Sequence, residues 1–205
     1  MITSIFIDFD GTIVDVWRRY YTVFSDIVKY PLIDFDQYKA LRNKQYSDLD
    51  VAKKLQINLP SDFKIAKLKM LEEERYLHFD NLLISPKIFI AFVISNNAIV
   101  LTKRKDKTMF FRQLDWLGLG TLENNSVVLG SGMEKKDWIK NHFAGKRIVM
   151  IGDSDKDAEV GQLQDALAVI VNTGFGVSNE LIEKSNITKV NDINRAIDFV
   201  MELAL

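Results

Sequence analysis

Five short apolar runs divide this chain into segments. Runs of this length, apolar at successive positions, predict strands that are buried on both faces, as in a parallel sheet. The predicted strands cover residues 2–8, 98–101, 126–129, 147–151 and 167–171. Helical periodicity fills most of the intervals after residue 86, with helices predicted over residues 88–94, 109–117, 134–143, 157–163 and 193–203. Strands and helices that alternate in this way are typical of βαβ units around a parallel sheet.

The interval between the first two predicted strands carries only helical patterns. A helix is predicted to begin at Asp15, with apolar residues at helical spacing as far as Ile27, and Pro31 is expected to end it. Shorter amphipathic stretches follow to about residue 79. We therefore expect an α/β core domain with a Rossmann-like parallel sheet over residues 1–14 and 82–205, and an all-helical insertion over residues 15–81.

Composition and charge narrow the function classes. The chain has 205 residues, of which 47% are hydrophobic and 27% charged, and its net charge is -1. This balance does not favour nucleic acid as a partner. No cysteine is present, which excludes disulfides and thiol chemistry. The longest apolar stretch, residues 88–94, is too short to span a membrane, and no signal peptide precedes the first strand. We expect a cytoplasmic protein without a membrane partner, and the oligomeric state stays open.

The end of the first predicted strand carries two carboxylates, Asp8 and Asp10, followed by Gly11. Residues at i and i+2 of an extended backbone point to the same side. Two like charges at the end of a buried strand are costly unless a cation or another partner offsets them. This pair therefore predicts a site for chemistry at that end of the strand.

Other strand ends supply complementary groups. Thr102 follows the second strand, and the run from Gly152 to Asp157 follows the fourth. Lys135 begins the helix before that fourth strand. Ligands of open α/β sheets lie outside the carboxyl ends of the strands, so these residues are expected to meet. A nucleophilic carboxylate, an acid/base partner, a hydroxyl, a lysine and a hard divalent cation are the groups that phosphoryl transfer needs.

The pattern from Asp8 to Thr12, DxDGT after an apolar strand, resembles the first motif of the haloacid dehalogenase superfamily, most of whose members are Mg²⁺-dependent phosphatases. Thr102 resembles the second motif, Lys135 the third, and Asp153 with Asp157 the acidic fourth. The resemblance implies the following roles: Asp8, nucleophile and metal ligand; Asp10, acid/base and metal ligand through its carbonyl; Thr102 and Lys135, catalysis and phosphate binding; Gly11, Thr12 and Lys103, substrate binding; Asp153, metal ligand; Asp157, support of the metal waters or of the lysine.

Two points stay open within the resemblance. Lys136 is a rival to Lys135 as the lysine of the third motif. The helical insertion after the first motif implies a mobile cap, and capped members act on small phosphorylated metabolites. Arg18 and Arg19 could reach a substrate anion from that insertion, although a solvated helix face is the favoured interpretation. The identity of the natural substrate cannot be inferred from the sequence.

Alternative functions use the same residues differently. A sugar phosphomutase would return the phosphoryl group to its substrate. A haloacid dehalogenase would have no use for Asp10 or Mg²⁺, so the presence of Asp10 and Asp153 counts against it. Phosphonate hydrolysis would need an insertion lysine, and none is marked out. A receiver-like domain that holds a phospho-aspartate would be shorter and uncapped, and a catalytically silent regulator would not need the full motif set.

Overall fold

A computed structural model describes residues 3–29, 33–43, 46–130 and 132–203. Its strands are β1 (Thr3–Ile7), β2 (Val14–Asp15), β3 (Asn81–Leu82), β4 (Ile99–Lys103), β5 (Ser126–Leu129), β6 (Arg147–Gly152), β7 (Ala166–Val171) and β8 (Ile187–Val190). Its α-helices are α1 (Trp17–Val28), α2 (Phe35–Arg42), α3 (Asp48–Lys54), α4 (Phe63–Met70), α5 (Glu74–Leu77), α6 (Pro86–Ser95), α7 (Lys107–Trp116), α8 (Lys135–His142), α9 (Asp155–Ala158), α10 (Asn179–Lys184) and α11 (Ile193–Leu203). Two 3-10 helices cover Gly120–Asn125 and Glu159–Gln162.

Six strands form one sheet in the order β5-β4-β1-β6-β7-β8, and every neighbouring pair is parallel. The side chains of Phe6 and Ile7 on β1 and of Met150 and Ile151 on β6 are fully buried, so these strands are covered on both faces. The predicted α/β fold with a Rossmann-like parallel sheet is therefore confirmed. The apolar runs predicted five of these strands because burial on both faces requires them.

The strand order places the site. β1 lies between β4 and β6, so the strands that follow it in the chain add first to one side of it and then to the other. Such a reversal opens a crevice at the carboxyl ends of the strands. Ile7 pairs with Val100 on one side and with Ile151 on the other. The residues that follow β1 and β6 therefore lie side by side at the same edge.

Some element boundaries differ from the predictions. Asp15 lies in β2, which pairs with β3, and α1 begins at Trp17. The edge strand β8 and the short helix α10 were not predicted, because two of the four residues of β8, Thr188 and Lys189, are polar. The predicted strand start at Ile2 and the predicted helix stop at Pro31 lie outside the described residues.

The chain divides into two compact units, and Val16–Asn81 forms the second of them. The core of this helical unit is aromatic. The rings of Phe24 and Tyr38 lie 5.4 Å apart, and Phe63 meets Phe24 edge-on at 6.2 Å. Among the residues described, no helix is long and apolar enough to cross a bilayer.

The helical unit also buries charge. Arg19 is 2% exposed, and its Nε lies 3.3 Å from the carboxylate of Asp80, which is also buried. The expected solvated helix face is thus wrong for Arg19, because its guanidinium has a buried partner far along the chain. Arg18 is exposed, and its guanidinium lies 3.9 Å from the centre of the Phe35 ring.

Candidate active site

A tight loop follows β1 and carries the first motif. The carbonyl of Phe9 accepts hydrogen bonds from the backbone N–H groups of Ile13 and Val14 at 2.9 and 3.2 Å. The loop needs a residue with positive φ, and Gly11 adopts φ +79°. A Cβ at Gly11 would also lie 2.5 Å from Asp153 Oδ2. Glycine is therefore required here both by the backbone and by the close approach of a carboxylate.

Asp8 is the central carboxylate of the site. Its backbone N–H donates to the carbonyl of Ile151 at 2.8 Å, which fixes the end of β1 against β6. Its side chain is buried, and Oδ1 lies 2.5 Å from Nζ of Lys135, the first residue of α8. The lysine therefore approaches Asp8 directly rather than remaining on the helix surface.

Asp157 holds this lysine and the loop after β6. Its Oδ1 accepts from Lys135 Nζ at 2.7 Å. Its Oδ2 accepts from the Ser154 hydroxyl at 2.6 Å and from the backbone N–H groups of Ser154 and Asp153 at 3.1 and 3.2 Å. Asp157 is fully buried, so these hydrogen bonds give the carboxylate the partners that burial demands.

Asp153 is the third carboxylate near Asp8 and is 1% exposed. Its Oδ2 accepts from the backbone N–H of Phe175 at 2.7 Å, in the loop after β7. A Cβ at Gly174 would lie 1.8 Å from the same oxygen, so only glycine leaves room for this carboxylate. Oxygen atoms of Asp8, Asp153 and Asp157 all lie within 4.8 Å of one another.

Burial and neighbouring charges shift the pKa values of the groups in this cluster. Burial raises the pKa of Asp8 from 3.8 to about 7, against the opposing charge of Lys135 and with a further upward contribution from Asp157. Burial, and then the charges of Asp8 and Asp157, raise the pKa of Asp153 well above 3.8. Burial alone would lower the pKa of Lys135, but the charges of Asp157 and Asp8 outweigh it and raise that pKa.

The residues present fit a hard divalent cation. If ionised, the three carboxylates and one ammonium leave an excess of two negative charges in a buried space. Carboxylate oxygens are the ligands that Mg²⁺ and similar ions prefer. The glycines at positions 11 and 174 create the space in which Asp153 lies. This cluster can therefore hold a metal ion, and the ion would favour the ionised form of Asp8.

Among the residues described, the side chain of Asp10 is not one of the three carboxylates of this cluster. Its two oxygens accept from the Nε and Nη2 of Arg104 at 2.6 and 2.7 Å. The role of the Asp10 backbone carbonyl as a metal ligand stays a prediction, and the arginine that holds the Asp10 side chain was not predicted. Arg104 stands two residues after Thr102, and the same i, i+2 rule that selected Asp8 and Asp10 could have drawn attention to it.

The other predicted residues differ in their positions. Thr12 is fully buried and, within the described part of the chain, its Oγ1 has no hydrogen-bond partner. Thr102 is buried on β4, the neighbour of β1. Lys103 instead pairs at the surface with Glu134 at 2.5 Å, and Lys136 donates to Gln162 at 2.8 Å. The structure thus brings Lys135, and not Lys136, to the carboxylates.

The loop after β7 also belongs to the site and was missed. Thr173 Oγ1 donates to the carbonyl of Gly11 at 2.6 Å, and Phe175 donates its N–H to Asp153. The strand-end rule could have predicted this loop, since β7 is a neighbour of β6 in the same parallel sheet.

The fold of this chain is similar to that of solved structures described as haloacid dehalogenase family hydrolases or phosphatases. The chain resembles a phosphatase, assigned by prediction, from Clostridium acetobutylicum, with a TM-score of 0.69 and 13% identity over 98% of this chain and 99% of that one. It also resembles a haloacid dehalogenase family hydrolase from Deinococcus radiodurans R1 with bound phosphate and sodium, with a TM-score of 0.67 and 12% identity over 98% and 96% of the two chains.

A third similar structure is a protein from Thermotoga maritima described provisionally as a β-phosphoglucomutase, with a TM-score of 0.60 and 15% identity over 100% of both chains. No family model matches the sequence, and no curated protein matches it. The predicted resemblance is thus confirmed at the level of the fold, through structure rather than through sequence similarity.

Proposed function

We propose that this chain is a Mg²⁺-dependent phosphatase that hydrolyses a small phosphorylated metabolite through an aspartyl-phosphate on Asp8. The observation that carries the proposal is the burial of Asp8 beside Lys135 and within 4.8 Å of the oxygens of Asp153 and Asp157. A carboxylate in this setting has a cation site beside it and a lysine that can neutralise a phosphoryl group.

In the first step, an oxygen of Asp8 attacks phosphorus, and the bond between phosphorus and the leaving oxygen breaks. Asp10, as a carboxylic acid, gives its proton to that leaving oxygen, so the alcohol departs neutral. In the second step, a water oxygen attacks phosphorus and gives a proton to the Asp10 carboxylate. The acyl phosphate bond then breaks, which releases inorganic phosphate and restores Asp8.

The remaining residues would bind and orient. Mg²⁺, held by Asp8, Asp153 and the backbone carbonyl of Asp10, would supply positive charge that offsets the charge of the phosphoryl oxygens. Lys135 would contribute a second positive charge. The hydroxyls of Thr12 and Thr102 would donate to phosphate. The buried Oγ1 of Thr12, which has no hydrogen-bond partner among the residues that the structure describes, supports this role.

We also propose that the helical unit Val16–Asn81 acts as a cap. Its place in the chain supports this role, since it is inserted between the Asp10 loop and β4. A cap would exclude water during the first step and limit access to small substrates.

The proposal is tested with a panel of small phosphate monoesters that includes p-nitrophenyl phosphate. We expect phosphate release that requires Mg²⁺, is lost in Asp8→Asn and persists in Asp137→Asn, a matched change at an exposed position of α8. Wild-type protein that is folded and binds Mg²⁺ but releases no phosphate from any member of the panel would refute it.

A sugar phosphomutase is the second candidate, because the similar Thermotoga maritima protein is described provisionally in those terms. Phosphorus NMR of a sugar phosphate incubated with the protein and Mg²⁺ separates the two functions. A phosphatase yields inorganic phosphate, whereas a mutase yields an isomeric sugar phosphate.

A further inference from the structure

Arg104 is a charged residue in a place where charge is costly. It follows β4, and its side chain is 3% exposed. Its Nε lies 2.6 Å from Asp10 Oδ2 and its Nη2 lies 2.7 Å from Asp10 Oδ1. Two parallel hydrogen bonds between a guanidinium and a carboxylate fix both the position and the plane of the carboxylate, which a single contact does not.

The guanidinium of Arg104 has a second hydrogen-bond partner besides Asp10. Nη2 of Arg104 also donates to Oε1 of Gln113 at 2.9 Å. Gln113 lies on α7 and is fully buried. A helix on one side of the sheet thus orients the arginine, and the arginine orients Asp10 on the loop after β1.

We propose that Arg104 is a positioning residue for the proton transfers of Asp10, and that Gln113 positions Arg104. The inference rests on the proposed phosphatase function. Asp10 has a side chain that is 20% exposed, and the two hydrogen bonds from Arg104 favour one of its rotamers. Proton transfer requires a carboxyl oxygen within hydrogen-bond reach of the leaving oxygen. Each Asp10 oxygen that accepts from the guanidinium keeps a second lone pair for the transferred proton, and the two hydrogen bonds hold the carboxyl group in one geometry.

The test compares two substrates that differ in their need for a proton. p-Nitrophenolate departs readily without one, whereas the phenolate of phenyl phosphate is a poorer leaving group. In Arg104→Met we expect kcat/KM to fall about 100-fold for phenyl phosphate and about 10-fold for p-nitrophenyl phosphate, since general acids contribute about 10²–10⁴ and supporting residues about 10–100. Arg104→Lys keeps the charge without the paired geometry and should recover only part of this loss.

Four further variants, one of which is a control, test whether Arg104 acts through Asp10. In an Asp10→Asn background, Arg104→Met should cause no additional loss, because residues that act through one another are not additive. Gln113→Leu should lose about tenfold on phenyl phosphate, and Gln113→Glu, which keeps an acceptor, should recover activity. Arg112→Met is the matched control, since Arg112 is an exposed arginine on the same helix, and it should leave both substrates unchanged.

Thermal unfolding with and without Mg²⁺ checks the fold of each variant. We expect the Mg²⁺-induced stabilisation to persist, because the carboxylates of the metal site are unaltered. Equal losses on the two substrates, no loss at all, or full additivity with Asp10→Asn would each overturn the positioning role. If Arg104→Met does not fold, the lysine variant and Gln113→Leu decide by the same criteria. A wild-type protein without Mg²⁺-dependent hydrolysis would instead refute the proposed function, and the positioning role with it.

Discussion

Without metal, this protein should lose stability as the pH rises, because the fold buries acidic groups in excess. Asp8 has a pKa of about 7 in the folded chain against 3.8 as its ordinary value. Between these values the native state binds more protons than the unfolded state, so raising the pH favours unfolding. The contribution of protonated Asp8 to the free energy of unfolding is complete below pH 3.8 and is lost as the pH rises through about 7.

The magnitude follows from the size of the shift. One pKa unit corresponds to about 1.4 kcal/mol, so Asp8 alone would lower the free energy of unfolding by about 4 kcal/mol between pH 4 and pH 8. Asp153 contributes in the same direction, since its pKa is also raised. Mg²⁺ requires ionised carboxylates and should therefore stabilise the protein more at pH 8 than at pH 5.

Urea unfolding at several pH values, in EDTA and in Mg²⁺, measures this effect. Groups elsewhere in the chain also titrate, so the informative quantity is the difference between wild type and Asp8→Asn, in which the common background cancels. That difference should change by several kcal/mol in EDTA and much less in saturating Mg²⁺. A difference that stays flat with pH in EDTA, or that changes in the opposite direction, would refute the argument.

Two further variants test the same cluster. Lys135→Met leaves the buried carboxylates without their ammonium partner and should lower the free energy of unfolding by about 3–5 kcal/mol in urea melts, whereas Lys136→Met should change it by less than about 0.5 kcal/mol. Gly174→Ala forces a Cβ to within 1.8 Å of Asp153 Oδ2 and should weaken Mg²⁺ binding about tenfold or more by calorimetry. A Cβ at Gly130 would meet nothing within 4 Å in the described part of the chain, so Gly130→Ala should bind Mg²⁺ normally. Equal affinities in the two alanine variants would contradict the packing argument.

The sheet could be predicted from the sequence because its inner strands are apolar on both faces, and such runs are hard to explain otherwise. β8 escaped prediction because it is an edge strand with half-polar composition. Several of the hydrogen bonds that position the side chains of the site join residues that are far apart in the chain. Arg104 and Asp10 are 94 residues apart in the chain, so a local rule can mark Arg104 as a candidate but cannot predict its contact with Asp10.

Charged residues were the main source of error. A lysine or arginine on a helix is usually solvated, and Arg18 follows that rule. Arg19 does not, because a carboxylate near the other end of the helical unit accompanies it into the interior. Lys135 and Lys136 are adjacent and chemically identical, so only the direction of the helix start against the sheet separates them.

The central position of β1 in the sheet has a consequence for folding during synthesis on the ribosome. Phe6 is synthesised well before its partners Ile99 and Met150. The apolar residues of β1 therefore lack their strand partners on β4 and β6 until residues as far along as Met150 have been translated. Such distant pairings slow folding, and they leave β1 as an unpaired segment that chaperones can bind during synthesis.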